Sequence, residues 1–481
     1  MAAGAAGATA ALQAGALPFV ASVAAGATLA SAAWWLLTGA ERRPRARVVA
    51  AEDSRLLELF LRRSPALWRL TAGASAALGP LARLLWNGHV ETILAAKLRR
   101  HPEGVALRRE CLRVSNGGTV SLDWLRPAGP PARAVALPGP AADVPADAAV
   151  LILLPGLGGG SQDHYVQHMA AQARAAGLRP VVFNSRGTGG GPVTSPQFYS
   201  AGFTDDLRAV VDHVRRRYPD AQLFGVGWSL GANILLNYVA ESGAHSGLAG
   251  VASMCNPVSP GGGGGSRRRA AGLTGSRLPL LQFDLTVSNV EIGKGFNRIY
   301  DVNMANSLKT IFRRHAALFA DIGGEFKPNV AANARSIAEF DDAVTRVSFG
   351  FDSVGAYYRA SSSADRVDRI GIPTLCVQAE NDPIAPLQAV PLEKLRANAN
   401  VVTLLTAGGG HLGWASSYES LVGAPWVDGI VLDWLAMVER CGHDQQQDQQ
   451  RQAGGRGGGR RTARAAAANG PRYAAAAAAA R

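Results

Sequence analysis

Cysteine is scarce in this chain, and its spacing excludes two kinds of structure. The 481 residues contain four cysteines with no C-x-x-C pair among them: Cys111, Cys255, Cys376 and Cys441. This spacing argues against a disulfide framework and against a cysteine-bound zinc site, and it fits reduced thiols in a cytosol-like compartment. The nine histidines show no metal-ligand spacing either. The sequence therefore predicts neither a metal centre nor a bound cofactor.

Charged side chains are absent from residues 1–40. Residues 17–39 (LPFVASVAAGATLASAAWWLLTG) are long and apolar enough to predict a transmembrane helix, and the two tryptophans near their end are typical of a membrane interface. Four arginines follow directly: Arg42, Arg43, Arg45 and Arg47. We expect a single-pass anchor in an endoplasmic-reticulum or plastid membrane, with the following domain facing the cytosol. A cleaved targeting peptide is the alternative, although the basic or Arg/Ser-rich character of such peptides is missing.

Positive charge is concentrated outside the middle of the chain. Of the net charge of +13, residues 41–110 carry +7 and residues 441–481 carry +5, which leaves +1 for residues 111–440. Basic flanks around a near-neutral centre favour attraction to an anionic membrane surface. No nucleic-acid-binding motif occurs, so nucleic acid is not an expected partner.

The two flanks differ in pattern. Residues 41–105 predict a basic, membrane-proximal helical segment. Their stretch LLELFLRRSPALWRL fits either an interfacial amphipathic helix or an ordinary surface helix packed on the core. Residues 441–481 are of low complexity and have no apolar period, which predicts a disordered basic tail. The run PGGGGGSRRR at 260–269 has the same character and predicts a flexible insertion.

Between the flanks, short apolar runs alternate with helical patterns. The runs AAVLILLPG, LRPVVFNSRG and LFGVGWS predict buried strands, and IPTLCVQAEND and NVVTLLTAGGGH predict two later ones. Strands that alternate with helices form a mostly parallel sheet with helices on both faces, and a site at the carboxyl ends of the strands. We therefore predict an α/β domain over about 106–440.

One short motif predicts a nucleophile. Gly227, Trp228, Ser229, Leu230 and Gly231 follow a predicted strand and precede a helical pattern, which is the context of a nucleophile elbow. The two glycines permit a sharp turn, and the start of the helix presents N–H groups to a developing negative charge. A glycine-rich turn without catalytic role is the alternative until an acid and a base are identified.

An acid and a base follow the serine in the order that such a turn requires. Asp382 lies in the loop ENDPIAP after one late strand, and His411 lies in GGGHLGW after the next. Glu380 is a weaker alternative acid because it lies nearer the strand end. The long interval between Ser229 and Asp382 leaves room for an inserted helical lid, which we place at about 257–366.

The glycine-rich loop LLPGLGGGS has a different predicted role from a phosphate cradle. It lacks both the lysine of a P-loop and the G-x-G-x-x-G pattern of a dinucleotide site. In an acyl-transfer enzyme such a loop supplies a backbone donor, so we predict an oxyanion hole formed by the N–H groups of Leu157 and Leu230. His164 and His168 follow this loop and are candidates for lining the pocket.

Eight stretches together carry a family resemblance: LWNGHVETI, RRECLRVSNGGTVSLDW, PGLGGGSQDHYV, VVFNSRG, VGWSLGANIL, EFDDAVTRVSFGF, IPTLCVQAENDPIAP and GGGHLGW. They resemble the membrane-anchored α/β-hydrolase-domain lipases. That family includes plant embryogenesis-associated proteins, animal phospholipases and monoacylglycerol lipases, and yeast medium-chain ethyl-ester synthases. The resemblance extends from about Trp86 to about Trp434; the insertion at 261–269 and the tail depart from it.

The resemblance implies an α/β-hydrolase fold with an inserted lid, and a serine esterase whose charge-relay residues are Ser229, Asp382 and His411. The expected substrate is a carboxylic ester of a lipid or acyl chain, cleaved through an acyl-enzyme. An acyltransferase that uses the same triad is the first alternative. A catalytically inactive scaffold on the same fold is the second. No oligomeric state is predicted.

Overall fold

The computed structural model describes residues 46–67, 87–126, 144–257, 292–320, 322–387, 390–415 and 417–454. Three predicted features lie outside these residues: the transmembrane helix at 17–39, the glycine-rich insertion at 260–269, and the tail from 455 onward. Among the helices that are described, none is both long and apolar enough to cross a membrane.

The described strands form one sheet. Their bounds are β1 Ala46–Val49, β2 Leu107–Arg113, β3 Thr119–Leu125, β4 Val150–Leu154, β5 Arg179–Asn184, β6 Leu223–Trp228, β7 Gly250–Met254, β8 Thr374–Ala379 and β9 Val401–Thr406. Their order across the sheet is β1-β9-β8-β7-β6-β4-β5-β3-β2. The six central strands pair in parallel with one another: β9, β8, β7, β6, β4 and β5. At one edge β1 pairs antiparallel with β9, and at the other edge β3 pairs antiparallel with β5 and with β2. The predicted mostly parallel sheet is confirmed.

The helices connect these strands. The α-helices are α1 Arg55–Arg63, α2 Gly88–Leu98, α3 His164–Ala175, α4 Asp205–Arg217, α5 Leu230–Ser242, α6 Arg298–His315, α7 Pro328–Asn333, α8 Ile337–Phe340, α9 Arg346–Ser348, α10 Val354–Ser361, α11 Leu392–Ala397, α12 Tyr418–Val422 and α13 Val427–Gly454. A π-helical turn spans Asp341–Thr345. Short 3-10 turns span Ser115–Gly117, Thr188–Gly190, Gly243–His245, Gly295–Asn297, Ala316–Phe319 and Val367–Arg369.

Two apolar clusters cover the two faces of the sheet. Along β4, Leu151 and Leu153 point into the cluster that contains residues of α3 and α13. Val150, Ile152 and Leu154 point into the other cluster, which contains residues of α4 and α5. Successive strand side chains alternate between faces, so a strand with a helix on each side must be apolar throughout. This requirement explains why the central strands are continuous apolar runs in the sequence.

The segment before residue 106 belongs to this folded unit, which corrects the predicted domain boundary. β1 pairs with β9, and the α1 residue Phe60 is fully buried against Trp434 of α13, with ring centroids 5.1 Å apart. The Ser64 hydroxyl donates to Asp433 at 2.7 Å. The apolar face of α1 therefore packs on the core, so the interfacial interpretation of this helix is wrong and the surface-helix alternative is correct.

The last helix also departs from the prediction. We expected residues 441–481 to be disordered, but α13 continues through Gly454. A helix that is already nucleated by buried residues extends at little cost, and the glutamines that follow 440 are good helix formers. Absence of an apolar period therefore did not mark the helix end.

The helices between β7 and β8 lie within the interval predicted for a lid. They have an apolar cluster of their own, which includes Phe312, Phe319 and Phe340. Phe198, in the connection after β5, stacks on Phe319 with ring centroids 5.0 Å apart. This contact holds α6–α10 (the lid helices) over the carboxyl ends of the strands.

Candidate functional site

Ser229 occupies a strained turn between β6 and α5. Its backbone has φ 51° and ψ −119°, a conformation that costs energy for a residue with a side chain and is found mainly at functional sites. A Cβ at Gly227 would lie 2.6 Å from the carbonyl oxygen of Gly231, and a Cβ at Gly231 would overlap the carbonyl oxygens of Leu154 and Pro155. Both flanking positions therefore require glycine, as the nucleophile-elbow motif predicts.

His411 and Asp382 form a buried pair. The imidazole Nδ1 lies 2.9 Å from Asp382 Oδ2 and 3.1 Å from Oδ1. Asp382 Oδ1 also accepts the backbone N–H groups of Ile384 and Ala385, each at 2.8 Å. Because an ionised carboxylate only accepts, Nδ1 carries the hydrogen and leaves Nε2 as the basic nitrogen.

The end of the neighbouring strand β7 lies between Ser229 and the His411–Asp382 pair and contacts both. Its N–H donates to the carbonyl oxygen of Met254, the last residue of β7, at 2.8 Å. The next residue, Cys255, has its Sγ within 4.8 Å of a carboxylate oxygen of Asp382 and a ring nitrogen of His411. Within the described residues, no hydrogen bond joins the Ser229 hydroxyl to the imidazole. Such bonds are commonly longer without substrate and shorten when it binds.

The glycine-rich loop leaves one backbone donor free. Within residues 156–161, every N–H except that of Leu157 donates to another atom of the described chain. Leu230 is the first residue of α5, so its N–H has no acceptor within the helix. Both residues line the same cavity as Ser229. Each residue therefore offers a backbone donor beside the cavity, and the binding of an oxyanion by these two N–H groups stays a prediction.

Two other predicted residues lie elsewhere. His164 and His168 are one turn apart on α3, so they share a helix face. That face meets the connection after α2, because His168 Nε2 lies 2.9 Å from the carbonyl oxygen of Arg100 and the His164 ring is 4.0 Å from that of His101. Neither histidine lines the described cavity beside Ser229. The prediction that they line the pocket is therefore wrong.

Glu380 and Trp228 also have clear positions. Glu380, the alternative acid, accepts a hydrogen bond from Arg47 of β1 at 2.9 Å and is partly exposed. That contact turns its carboxylate toward the sheet edge, whereas the Asp382 side chain is fully buried against His411. Trp228 is buried in the core and packs edge-to-face on Tyr165, with ring centroids 5.2 Å apart. It therefore anchors the residue before Ser229 in the core.

The loop that carries His411 is held by α2, a contact that we did not predict. Glu91 accepts the backbone N–H groups of Gly409 (2.8 Å) and Ala415 (2.9 Å), one on each side of the histidine. Thr92 Oγ1 accepts the N–H of His411 itself at 2.8 Å. The sequence signal was an acidic and a hydroxyl residue side by side, before the apolar run ILAA of this helix.

Buried charges strengthen this attachment. Arg99, at the end of α2, donates to the carbonyl oxygens of Leu412 (2.9 Å) and Gly413. Burial raises the pKa of Glu91 to about 7 and that of Asp428 to about 7, and it lowers the pKa of Arg99 to about 10. The attraction of Arg99 opposes this effect of burial and favours the charged forms of both carboxylates. The histidine loop is thus fixed by a carboxylate, a hydroxyl and a guanidinium.

One group of side chains in the described chain has the chemistry of metal ligands. It consists of Cys255, Asp382 and His411. Burial and the neighbouring Asp382 charge raise the pKa of the Cys255 thiol well above its ordinary value, so the sulfur stays protonated. Because metals bind the thiolate, and Nδ1 of His411 is already engaged by Asp382, this arrangement fits an acid–base pair better than a metal centre.

A cavity opens beside Ser229. Its lining comes from both the sheet and the lid: Leu157 and Leu230 lie near the serine, and Met304, Leu308 and Ile311 lie on α6. Most of the lining is apolar, which suits a hydrocarbon chain. The arrangement combines a strained serine, a buried histidine–aspartate pair, free backbone donors and an apolar cavity.

Comparisons with known proteins agree with this geometry. Residues 149–413 match the family described as the alpha/beta hydrolase fold, and they include Ser229, Asp382 and His411. The embryogenesis-associated protein EMB8 of Picea glauca is 43% identical over 361 residues, which cover 74% of this chain and 71% of that protein. The phospholipase ABHD3 of Mus musculus is 29% identical over a region that covers 68% of this chain and 71% of that protein. The monoacylglycerol lipase of Saccharomyces cerevisiae is 27% identical over 55% of this chain and 54% of that protein.

Proposed function

Because this chain belongs to the α/β-hydrolase fold family, as its motifs predict, we propose that it hydrolyses carboxylic esters of lipids or acyl chains. Ser229 is the nucleophile, His411 the base and Asp382 the orienting acid. The observation that carries the proposal is the buried His411–Asp382 pair next to a serine in a strained turn at a helix start. The names of two relatives, a phospholipase and a monoacylglycerol lipase, support an ester of a lipid.

The proposed reaction assigns one step to each of these groups. Ser229 Oγ attacks the ester carbonyl carbon and passes its proton to Nε2 of His411, while Asp382 stabilises the imidazolium through Nδ1. The negative oxygen accepts the N–H groups of Leu157 and Leu230. His411 then gives the proton to the leaving alkoxide, which departs as an alcohol and leaves an acyl-enzyme. Water, deprotonated by His411, releases the fatty acid.

A substrate panel tests the reaction type. Purified protein is incubated with monoacylglycerols, phosphatidylcholines and short-chain esters, and the products are resolved by mass. Free fatty acid is the expected product. If an added alcohol is instead converted to its ester in preference to hydrolysis, the enzyme is an acyltransferase. Absence of any ester turnover, together with absence of fluorophosphonate labelling, would favour the inactive scaffold.

Thr92→Val is expected to lower kcat about 10-fold with little change in KM. The valine has nearly the same shape but cannot accept the N–H of His411, so the histidine loses one of its fixed contacts. The measurement is steady-state kinetics on a soluble ester. Thr92→Ser is the matched control, because it keeps the hydroxyl and should retain most of the rate. Equal kcat for wild type and the valine variant would contradict the positioning role.

We also propose that residues 17–39 hold the enzyme at the membrane that contains its substrate. The absence of charge from residues 1–40 and the arginines that follow support this. Arg47 lies in β1 and pairs with Glu380, so the argument rests on the three arginines that precede it. Deletion of residues 1–40 should leave hydrolysis of soluble short-chain esters within about 2-fold, and should lower turnover of bilayer lipid about 10-fold or more, since proximity supplies effective concentration.

Extraction gives the control for this proposal. Full-length protein in a membrane fraction should resist high salt and alkaline carbonate, because a spanning helix is held by apolar transfer and not by charge. Release of the full-length protein by either treatment would contradict the transmembrane proposal.

A further inference from the structure

The cavity beside Ser229 has a carboxyl group in its otherwise mostly apolar wall. Asp341, on the lid, lines this cavity and is 7% exposed. It begins the π-helical turn Asp341–Thr345, and such turns occur frequently at functional sites. The proposed ester hydrolysis uses Ser229, Asp382 and His411, so it gives no role to this carboxyl.

Asp341 and its neighbour Asp342 differ in their surroundings. Asp342 is partly exposed and pairs with two cations, Lys327 at 3.1 Å and Arg346 at 2.8 Å. Asp341 has no cationic partner within the described chain, and the charged group that acts on its pKa is another carboxyl group, Asp301, which raises it. Burial raises the pKa of Asp341 to about 6. A carboxyl group placed in an apolar wall without a counter-ion is costly unless hydrogen-bond donors reach it.

A hydroxyl group of the protein already donates to this carboxyl: the Tyr358 hydroxyl donates to Oδ2 at 2.9 Å. The Thr345 hydroxyl also lowers the pKa of Asp341 and so favours its charged form. A carboxylate has about four acceptor positions, so further capacity is available on the cavity side. The environment is thus already suited to neutral hydroxyl donors.

Two more phenols complete a polar patch on the cavity wall. Tyr199 accepts the N–H of Gly158 at 2.8 Å, and Tyr357 accepts the N–H of Ala201 at 2.9 Å. Both rings are thereby fixed to the loops beside the site, and both line the cavity together with Asp341. These hydrogen bonds make the polar patch a fixed part of the cavity wall.

We propose that Asp341 accepts a hydrogen bond from a hydroxyl group of the substrate and so selects hydroxyl-bearing esters. The inference rests on the proposed function, because the substrate enters the same cavity as Ser229. The hydroxyl belongs either to the alcohol part of the ester, as in a monoacylglycerol, or to the acyl chain. An apolar wall discriminates weakly between chains, whereas a buried group that hydrogen-bonds a substrate hydroxyl discriminates strongly.

Three esters test the proposal: propyl octanoate, 1-monooctanoylglycerol and propyl 8-hydroxyoctanoate. The Asp341→Leu variant should lower kcat/KM about 10- to 100-fold for one of the two hydroxyl esters, and should leave propyl octanoate within about 3-fold. Loss on the glycerol ester alone would assign the hydroxyl to the alcohol part, and loss on the hydroxyacid ester alone to the acyl chain. Equal losses on all three esters would overturn the proposal, because they indicate structural damage.

Two further variants keep the test decisive. Asp341→Asn retains the shape and one acceptor oxygen. It should lower the ratio of kcat/KM for the hydroxyl ester to kcat/KM for propyl octanoate, but by less than Asp341→Leu does. This variant gives the test if the leucine variant does not fold. Asp342→Asn weakens the ion pairs of the same turn with Lys327 and Arg346 and should change none of these kcat/KM ratios. Wild-type hydrolysis of propyl octanoate that depends on Ser229 is measured first: its absence would contradict the proposed function, whereas unchanged substrate ratios in both Asp341 variants would contradict this inference alone.

Discussion

Replacing Ser229 with alanine is expected to lower kcat about 10⁶-fold on any ester that the wild type hydrolyses. The substitution removes the oxygen that attacks the carbonyl carbon, so no acyl-enzyme forms. A residual acceleration of about 10³-fold over water should remain, because the cavity and the backbone donors of Leu157 and Leu230 are unchanged. The measurement is release of p-nitrophenol from p-nitrophenyl octanoate at saturating substrate.

Ser253→Ala is the matched control for this variant. Ser253 lies on β7, opposite Gly227 in the sheet, and its buried hydroxyl has no hydrogen-bond partner among the described residues. Its removal should leave kcat within about 3-fold. A fluorophosphonate probe should label the wild type and Ser253→Ala but not Ser229→Ala. Near-wild-type turnover by Ser229→Ala, or labelling of it, would end the proposed mechanism.

Asp382→Asn should lower kcat about 10⁴-fold while the protein still folds. The carboxamide oxygen can still accept the N–H groups of Ile384 and Ala385, so its NH₂ group faces the imidazole. An N–H in that place favours the tautomer whose hydrogen is on Nε2, and this tautomer cannot take the proton of Ser229. The measurements are kcat on a soluble ester and the midpoint of thermal unfolding.

Glu380→Gln provides the comparison for the acid. Glu380 and Arg47 form an ion pair whose side chains are 35% and 56% exposed, and such pairs contribute little to stability. Turnover should therefore stay within about 2-fold of the wild type. If Glu380→Gln lost activity and Asp382→Asn retained it, the acid would be Glu380.

The part of the fold that carries the candidate site was predictable from local sequence. Buried parallel strands must be apolar throughout, so β4, β6, β8 and β9 are visible as continuous apolar runs. Chemistry gathers at the carboxyl ends of such strands. Glycines on both sides of Ser229, and loops that begin directly after β8 and β9, therefore sufficed to select Ser229, Asp382 and His411.

Contacts between distant segments were not predictable in this way. β1 has four residues, and only its pairing with β9 makes it a strand. Glu91 and Thr92 bind a loop that lies 318 and 319 residues later in the chain. A single sequence contains no local signal for such a contact, because the pattern of α2 is set by its own burial. The domain boundary at 106 was misplaced for this reason.

Orientation was the other source of error. His164 and His168 were chosen because they follow the glycine-rich loop, but proximity in sequence does not determine which face of α3 they occupy. In α1, the arginines that suggested a membrane surface lie on a helix whose Phe60 is fully buried in the core. An amphipathic pattern indicates that one face is covered, and it does not identify what covers it.

The pairing of β1 with β9 sets the order in which the enzyme becomes complete during synthesis. β1 leaves the ribosome early, and its partner strand follows more than 350 residues later. Contacts of this separation form late, because a very long loop must close first. The bond between Thr92 and His411 has the same requirement. In the proposed mechanism, a nascent chain can therefore already contain Ser229 while His411 has not yet been translated, so esterase activity begins only when the synthesis of the folded domain is almost finished.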